Sequence, residues 1–131
     1  VENLTPFYTL LQHTGAETAA LCLWGNPSPA CRHLLRCLAE TDVPLYVWAD
    51  LDYGGLNILA QLRREVSPRF RPYRMDLATL DAFARWGHPL TRRDARNLAR
   101  LREHPALADR TALIDEMLLR EVKLEQEAIL L

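Results

Sequence analysis

Three cysteines in 131 residues, Cys22, Cys31 and Cys37, are too few and odd in number to frame a small secreted disulfide fold. They fit a reducing cytoplasm, which is the expected location. No apolar run approaches the roughly 20 residues that a bilayer-spanning helix needs, so no membrane association is expected. The opening Val1-Glu2-Asn3 carries no basic-then-apolar export signal. It carries no initiator Met either, and the expectation is a fragment of a longer protein. Internal repeats and low-complexity stretches are absent. What remains suffices for one ordinary domain: 49% apolar and 25% charged residues exclude disorder and can bury a core.

Lysine is nearly missing too. Fifteen of the sixteen basic residues are Arg, which favours bidentate phosphate contacts and is equally what a GC-rich genome produces. The net charge of −1 is unevenly spread. Residues 1–62 hold six acids and two Arg, residues 63–102 eleven Arg and four acids, and residues 103–131 seven acids against three bases. A basic middle lies between two acidic ends, so near-neutrality does not argue against nucleic acid.

Helix-like and strand-like segments alternate. Asn3 or Thr5 can cap a first helix that has Pro6 in its first turn and Phe7, Leu10 and Leu11 at helical spacing. Ala19 to Trp24 reads as a buried parallel strand closed by Gly25-Asn26-Pro27. Ser28-Pro29 opens a helix with Leu34, Leu35 and Leu38 on its apolar face. Pro44 to Ala49 is the clearest strand. After Gly54-Gly55, residues 56–66 read as a helix with Leu56, Leu59, Leu62 and Val66 inward. Phe70 to Arg74 is an edge or irregular strand because of Pro72. From Leu77 onward the pattern is helical: 77–86, 91–103 and a broken 108–130. Strands separated by helices predict an α/β domain with a helical C-terminal tail.

In parallel sheets ligands bind at the carboxyl ends of strands. Glu2 stands at one such end, and Asp50-Leu51-Asp52 follows the strand Pro44–Ala49. In extended chain, residues i and i+2 face one side, so Asp50 and Asp52 can converge. Three hard carboxylates suit Mg²⁺, with positions left for water and substrate phosphates. Gly54-Gly55 then permits a sharp turn into a helix whose N–H groups face an anion. The plainer reading of the acids is helix capping and turn formation.

Val1-Glu2-Asn3-Leu4, the apolar segment ending in Gly25, and Trp48-Ala49-Asp50-Leu51-Asp52-Tyr53-Gly54-Gly55 together resemble a Toprim domain. That family has Glu after its first strand, Gly after its second, and Asp-x-Asp with a nearby Gly after its third. Four further details resemble the C-terminal domain of JetD, the nuclease subunit of Wadjet plasmid-defence systems. They are Glu-Asn-Leu-Thr-Pro-Phe at the start, Asp-Leu-Asp-Tyr-Gly-Gly, Met75, and Glu125-Gln126-Glu127. The resemblance implies a three-layer, Rossmann-like α/β fold with a parallel sheet of about four strands, the first truncated. Residues 1–76 would be the βαβα core with the acidic site, and 77–131 the helical remainder of the same domain. By the same resemblance Asp50 and Asp52 hold Mg²⁺ or Mn²⁺, and Glu2 is a further ligand or the general acid/base. The activity implied is metal-dependent DNA endonuclease cleavage, with plasmid DNA as substrate and water as nucleophile. The partners implied are SMC-type complex subunits, upstream domains of the same protein, and a second copy in a homodimer. Asn3 departs from the Gly that often follows the Toprim Glu. With the first strand truncated, the isolated fragment is expected to be nearly inactive. Other Toprim nucleases, topoisomerase-like DNA-cleaving proteins, and a non-enzymatic interaction module are the alternatives.

Arg63, Arg64, Arg69, Arg71 and Arg74 lie nearest the acids in sequence, and Arg63, Arg64, Arg71 and Arg74 are the candidate nucleic-acid contacts. Arg92, Arg93, Arg96 and Arg100 line one side of the 91–103 helix. They read first as a solvated face with local ion pairs and second as a DNA-backbone track. Glu125 and Glu127 are possible accessory acids, or polar positions of an amphipathic tail with Leu124, Ala128, Ile129 and Leu131. Tyr53 reads as a turn or packing residue before a nucleophile. Cys31-x-His33-x₃-Cys37 superficially suggests zinc, but one helix does not place all three side chains together. Trp24, Trp48 and Trp86 are expected in the core.

Overall fold

Asp50 and its neighbours follow a short central strand, and everything that positions them packs around that strand. In the computed structural model residues 1–129 are described; Leu130 and Leu131, and with them the apolar contact expected of Leu131, lie outside the described residues. Strand β1 (Tyr46–Val47) pairs in parallel with β2 (Arg71–Pro72). The Arg71 and Tyr73 N–H groups donate to Leu45 and Val47 carbonyls at 2.9 and 2.7 Å, so Pro72 occupies the position whose donor is not needed. Beyond the other side of β1, the Glu2 N–H donates to the Trp48 carbonyl at 2.9 Å. Leu23 N–H in turn donates to the Val1 carbonyl at 2.8 Å.

Regular pairing is nonetheless shorter than the expected parallel sheet of about four strands. Among the described residues the ladders are two-residue pairs, and Ala19–Trp24 forms no regular strand. Trp24 and Gly25 adopt φ of +54° and +89°, which turns the chain away after Leu23. For a Trp that is an uncommon conformation. Trp24 is also 79% exposed and Trp86 is exposed, so only Trp48 of the three fills the core.

Six α-helices are described: α1 (Leu4–His13), α2 (Pro29–Ala39), α3 (Tyr53–Glu65), α4 (Leu77–Phe83), α5 (Arg92–Leu101) and α6 (Thr111–Leu119). Among the described residues, none is long and apolar enough to cross a membrane. Ser28 caps α2, Asp52 α3 and Asp76 α4 through their side-chain oxygens, and Thr91 with Asp94 forms a capping box on α5. Helix α3 is the core of the domain: Leu56, Ile58, Leu59 and Leu62 are buried, and it packs against α5 and the 3₁₀ turn Pro105–Arg110. Leu35 alone of the three leucines expected inward on α2 is buried; Leu34 and Leu38 are exposed.

The expected helical tail is replaced by a return to the sheet region. Glu121, at φ +50°, ends the helical path after α6, and β4 (Val122–Lys123) pairs antiparallel with β3 (His88–Pro89). Gly87 permits this approach, since a Cβ there would lie 2.8 Å from the Lys123 carbonyl oxygen. Leu124 then exchanges two backbone hydrogen bonds with Leu51, at 2.8 and 3.0 Å. Periodicity alone missed this because residues 111–124 carry enough leucine to satisfy a helical pattern throughout. A short 3₁₀ turn, Gln126–Ile129, follows.

Candidate active site

The β1 path delivers Asp50, while Leu51 beside it is wholly buried and anchored to Leu124. The chain then turns into α3, with Asp52 at its N-cap accepting from Gly55 N–H at 2.8 Å. A Cβ on Gly55 would collide with the Asp50 carbonyl oxygen and lie 2.8 Å from the Asp50 nitrogen. Only glycine lets α3 begin this close to the acid-bearing strand.

Glu2 and Asp50 meet across this corner. The Asp50 backbone N–H donates to Glu2 Oε2 at 3.1 Å. Asp50 Oδ1 accepts from Asn3 Nδ2 at 3.0 Å and from the Gln126 backbone N–H at 2.8 Å. Asn3 stands at the N-cap of α1 but makes no side-chain cap there; its amide serves Asp50 instead. Gln126 is 0% exposed and its Oε1 accepts from Asn3 N–H at 2.9 Å, while its Nε2 has no partner. The first and last segments therefore both clamp one aspartate. Asn3 and Gln126 are neighbours of Asp50 that sequence reasoning missed. The available signal was a Gln placed between Glu125 and Glu127, where a polar tail face needs no amide.

Burial pushes the Glu2 carboxyl up to about 7, opposed by the Asp50 N–H and reinforced by the charges of Asp50 and Asp52. Burial also pushes Asp50 up to about 6, against its hydrogen bonds from Gln126 and Asn3 and with help from Asp52 and Glu127. Among the described residues no Arg, Lys or His side chain lies within 4.0 Å of Glu2, Asp50 or Asp52.

These features bear on whether a cation fits. Each of the three carboxylates has one oxygen held by an N–H (Glu2 Oε2, Asp50 Oδ1, Asp52 Oδ1), and among the described residues no donor reaches the other. Hard oxygen donors carrying uncompensated negative charge suit Mg²⁺ or Mn²⁺. The convergence expected from i, i+2 spacing is incomplete, however. Among the described residues no three His, Cys, Asp or Glu side chains converge as a ready metal group. The reason is local: Asp52 is drawn to the helix cap and Asp50 to Asn3 and Gln126. The donor chemistry fits a divalent cation, and the side chains as placed do not form a closed cage.

The remaining candidates separate clearly. Glu127 lies near enough to Asp50 to raise its pKa, whereas Glu125 is exposed and 3.9 Å from His88. Arg63 is held inside the fold, donating to the Phe70 and Ala106 carbonyls and pairing with both oxygens of Asp109. Arg74 donates to the Ile129 carbonyl, Arg69 to three carbonyls of residues 39–43, and Arg64 pairs with neighbouring Glu65. The phosphate contacts expected of Arg63 and Arg74 are thus opposed by donors already engaged within the chain. Arg71 is exposed. On α2, His33 Nε2 and Cys37 Sγ lie 4.0 Å apart. Tyr53 opens α3 and faces a shallow hollow shared with Asn97, Arg100, Leu101 and His104.

The chain is 29% identical to the Wadjet protein JetD of Bacillus cereus (strain Q1), over 98% of its own length and 32% of that protein's. It therefore spans about a third of that relative. The family model described as Wadjet protein JetD, C-terminal, matches residues 1–131. The chain belongs to the JetD C-terminal family.

Proposed function

We propose that this chain is the catalytic, Toprim-like part of a Mg²⁺-dependent DNA endonuclease in a Wadjet-type anti-plasmid defence system. The observation that carries the reading is the acidic corner itself: Glu2, Asp50 and Asp52 gathered beyond β1 with no cationic side chain near them. Uncompensated carboxylates are costly unless a ligand neutralises them. Asp50, Asp52 and Glu2 would hold Mg²⁺ or Mn²⁺, which supplies charge neutralisation at a phosphodiester.

The chain's own residues do the rest. Asn3 and Gln126 fix the Asp50 carboxylate by one oxygen, so its second oxygen is presented without rotational freedom. Asp52 is fixed in the same way by the α3 terminus. Glu2, with a pKa of about 7, exchanges a proton readily at neutral pH, which suits a general acid/base beside a scissile phosphate. Plasmid DNA, SMC-type subunits, the upstream domains, a homodimeric assembly and a cytoplasmic setting belong to this same reading.

The test is nicking or cleavage of supercoiled plasmid by the full-length protein with its partner subunits and Mg²⁺. Asp50→Ala and Asp52→Ala should each lower the rate by about 100-fold or more, the usual scale for losing a principal electrostatic group. Wild-type cleavage by both variants would sink the proposal. The helix cap made by Asp52 favours a second, non-enzymatic reading in which these acids only support α3. Glu2 and Asp50 cap no helix, which favours the first.

A further inference from the structure

Helix α5 carries four arginines and a single acid, Asp94. That acid is turned to other work: Asp94 Oδ2 accepts from the Thr91 backbone N–H and from Lys123 Nζ, both at 3.0 Å. The acids that follow the helix in space are also taken, since Arg102 pairs with both Glu103 and Asp115. Arg92, Arg93, Arg96 and Arg100 are all exposed, and among the described residues none has a carboxylate within 4.0 Å. At about 100° per residue the four fall within an arc of roughly 100°. Leu98 and Leu101 are buried on the opposite side against the core, so the helix cannot rotate the arginines away. The local ion pairs that a merely solvated face would show are missing here.

The face also has a direction. Arg92 to Arg100 spans about 12 Å along the helix, on the order of three to four base-pair steps at ~3.4 Å each. Its Arg100 end borders a hollow of about 180 Å³ that is also lined by Tyr53, the residue that follows Asp52. The arginine line therefore ends at the flank of α3, the helix that Asp52 caps. Guanidinium groups at one-turn intervals match a regular polyanion read through its phosphates.

We propose that the Arg92–Arg96–Arg100 face of α5, flanked by Arg93, is a track for the phosphate backbone of double-stranded DNA, guiding it past Tyr53 toward Asp52. The identity of the polyanion rests on the nuclease reading above. The track is sequence-independent, because backbone contacts position a duplex without reading bases.

The experiment uses the full-length protein and a fluorescein-labelled DNA duplex of arbitrary sequence, followed by anisotropy across a salt series without divalent cation. R92Q/R96Q/R100Q should weaken binding by about tenfold or more near 100 mM salt and lower the salt slope by about 3, one per lost phosphate contact. Asp50→Ala, tested separately for plasmid cleavage with Mg²⁺ and the partner subunits, should fail to cut. Wild-type affinity and slope in the triple variant would overturn the track and leave the nuclease reading standing. Wild-type cutting by Asp50→Ala would instead overturn the nuclease reading. If the triple variant binds DNA normally but no longer associates with its partner subunits, the face docks an acidic protein surface and the proposal is wrong.

Discussion

Arg63 and Arg100 belong to the same basic stretch of the chain, yet the structure uses them in opposite ways. Arg63 is only 13% exposed, reaches two main-chain carbonyls and forms a two-pronged pair with Asp109. Arg100 is exposed and has no carboxylate within reach among the described residues. The acids divide along the same line. Asp109 is held below its ordinary range by Arg63, whereas Glu2 and Asp50 are held above theirs by burial, which outweighs their N–H donors and, for Glu2, the nearby Val1 ammonium. The Arg63–Asp109 pair ties α3 to the 3₁₀ turn Pro105–Arg110, 46 residues on. The acidic corner and the arginine-lined face of α5 instead hold charge without an ion-pair partner among the described residues, and the hollow at Arg100 is lined by Tyr53, the residue next to Asp52.

The largest way to break that contrast is to remove a paired arginine. Arg63→Ala strands the Phe70 and Ala106 carbonyl oxygens and leaves Asp109 with Arg110 alone, and should destabilise the fold by about 2–3 kcal/mol. R92Q/R96Q/R100Q removes more charge but no internal hydrogen bond, so it should change stability by no more than about 0.5 kcal/mol. Urea unfolding of both variants at neutral pH checks this. Equal losses would erase the distinction between the two arginine sets.

Gly55→Ala attacks the acidic side through the backbone instead of through charge. The added Cβ meets the Asp50 main chain, so α3 must shift away from β1. Overpacking of this kind costs about 1–3 kcal/mol. On the proposed nuclease reading it should also loosen the grip of Gly55 N–H on Asp52 and lower cleavage more than the stability loss alone explains. A variant that unfolds and cuts like wild type would mean that the close approach of α3 is unimportant.

The sequence made the acids, the glycine corner and α3 legible because their spacing is local. Asp50, Asp52 and Gly55 sit within six residues, and a strand followed by a tight turn needs no distant partner to be recognised. The clamp on Asp50 was not legible, because Asn3 and Gln126 lie 47 and 76 residues away and each resembles an ordinary cap or tail residue. The short strands escaped for a related reason. β3 contains a proline, β4 follows a leucine-rich helix, and only their pairing with each other makes them strands. Arginine pairing was invisible for the same cause: Arg63 finds Asp109, 46 residues on, through the packing of α3 against the 3₁₀ turn.

The smallest expected effect is the most direct comparison of the two kinds of charge, because they impose opposite pH slopes. Glu2 and Asp50 have folded pKa values of about 7 and about 6, above their ordinary values of 4.5 and 3.8, so the folded state holds their protons more tightly than the unfolded chain. Their contribution to stability is complete below about pH 4 and is lost as pH rises through 6 to 7. Asp109 and Asp94 are lowered, so their contribution is present above their ordinary value of 3.8 and is lost only as pH falls below it. Between pH 5 and 7.5 the acidic corner alone therefore sets the slope among these four. Replacing it with E2Q/D50N should flatten the fall in melting temperature across that interval and leave the variant the more stable protein at pH 7.5. Mg²⁺ should raise the wild-type melting temperature more at pH 7.5 than at pH 5.5, because protons no longer compete for the carboxylate oxygens. An unchanged slope in the double variant would show that the corner is already compensated and that its charge is not held for a ligand.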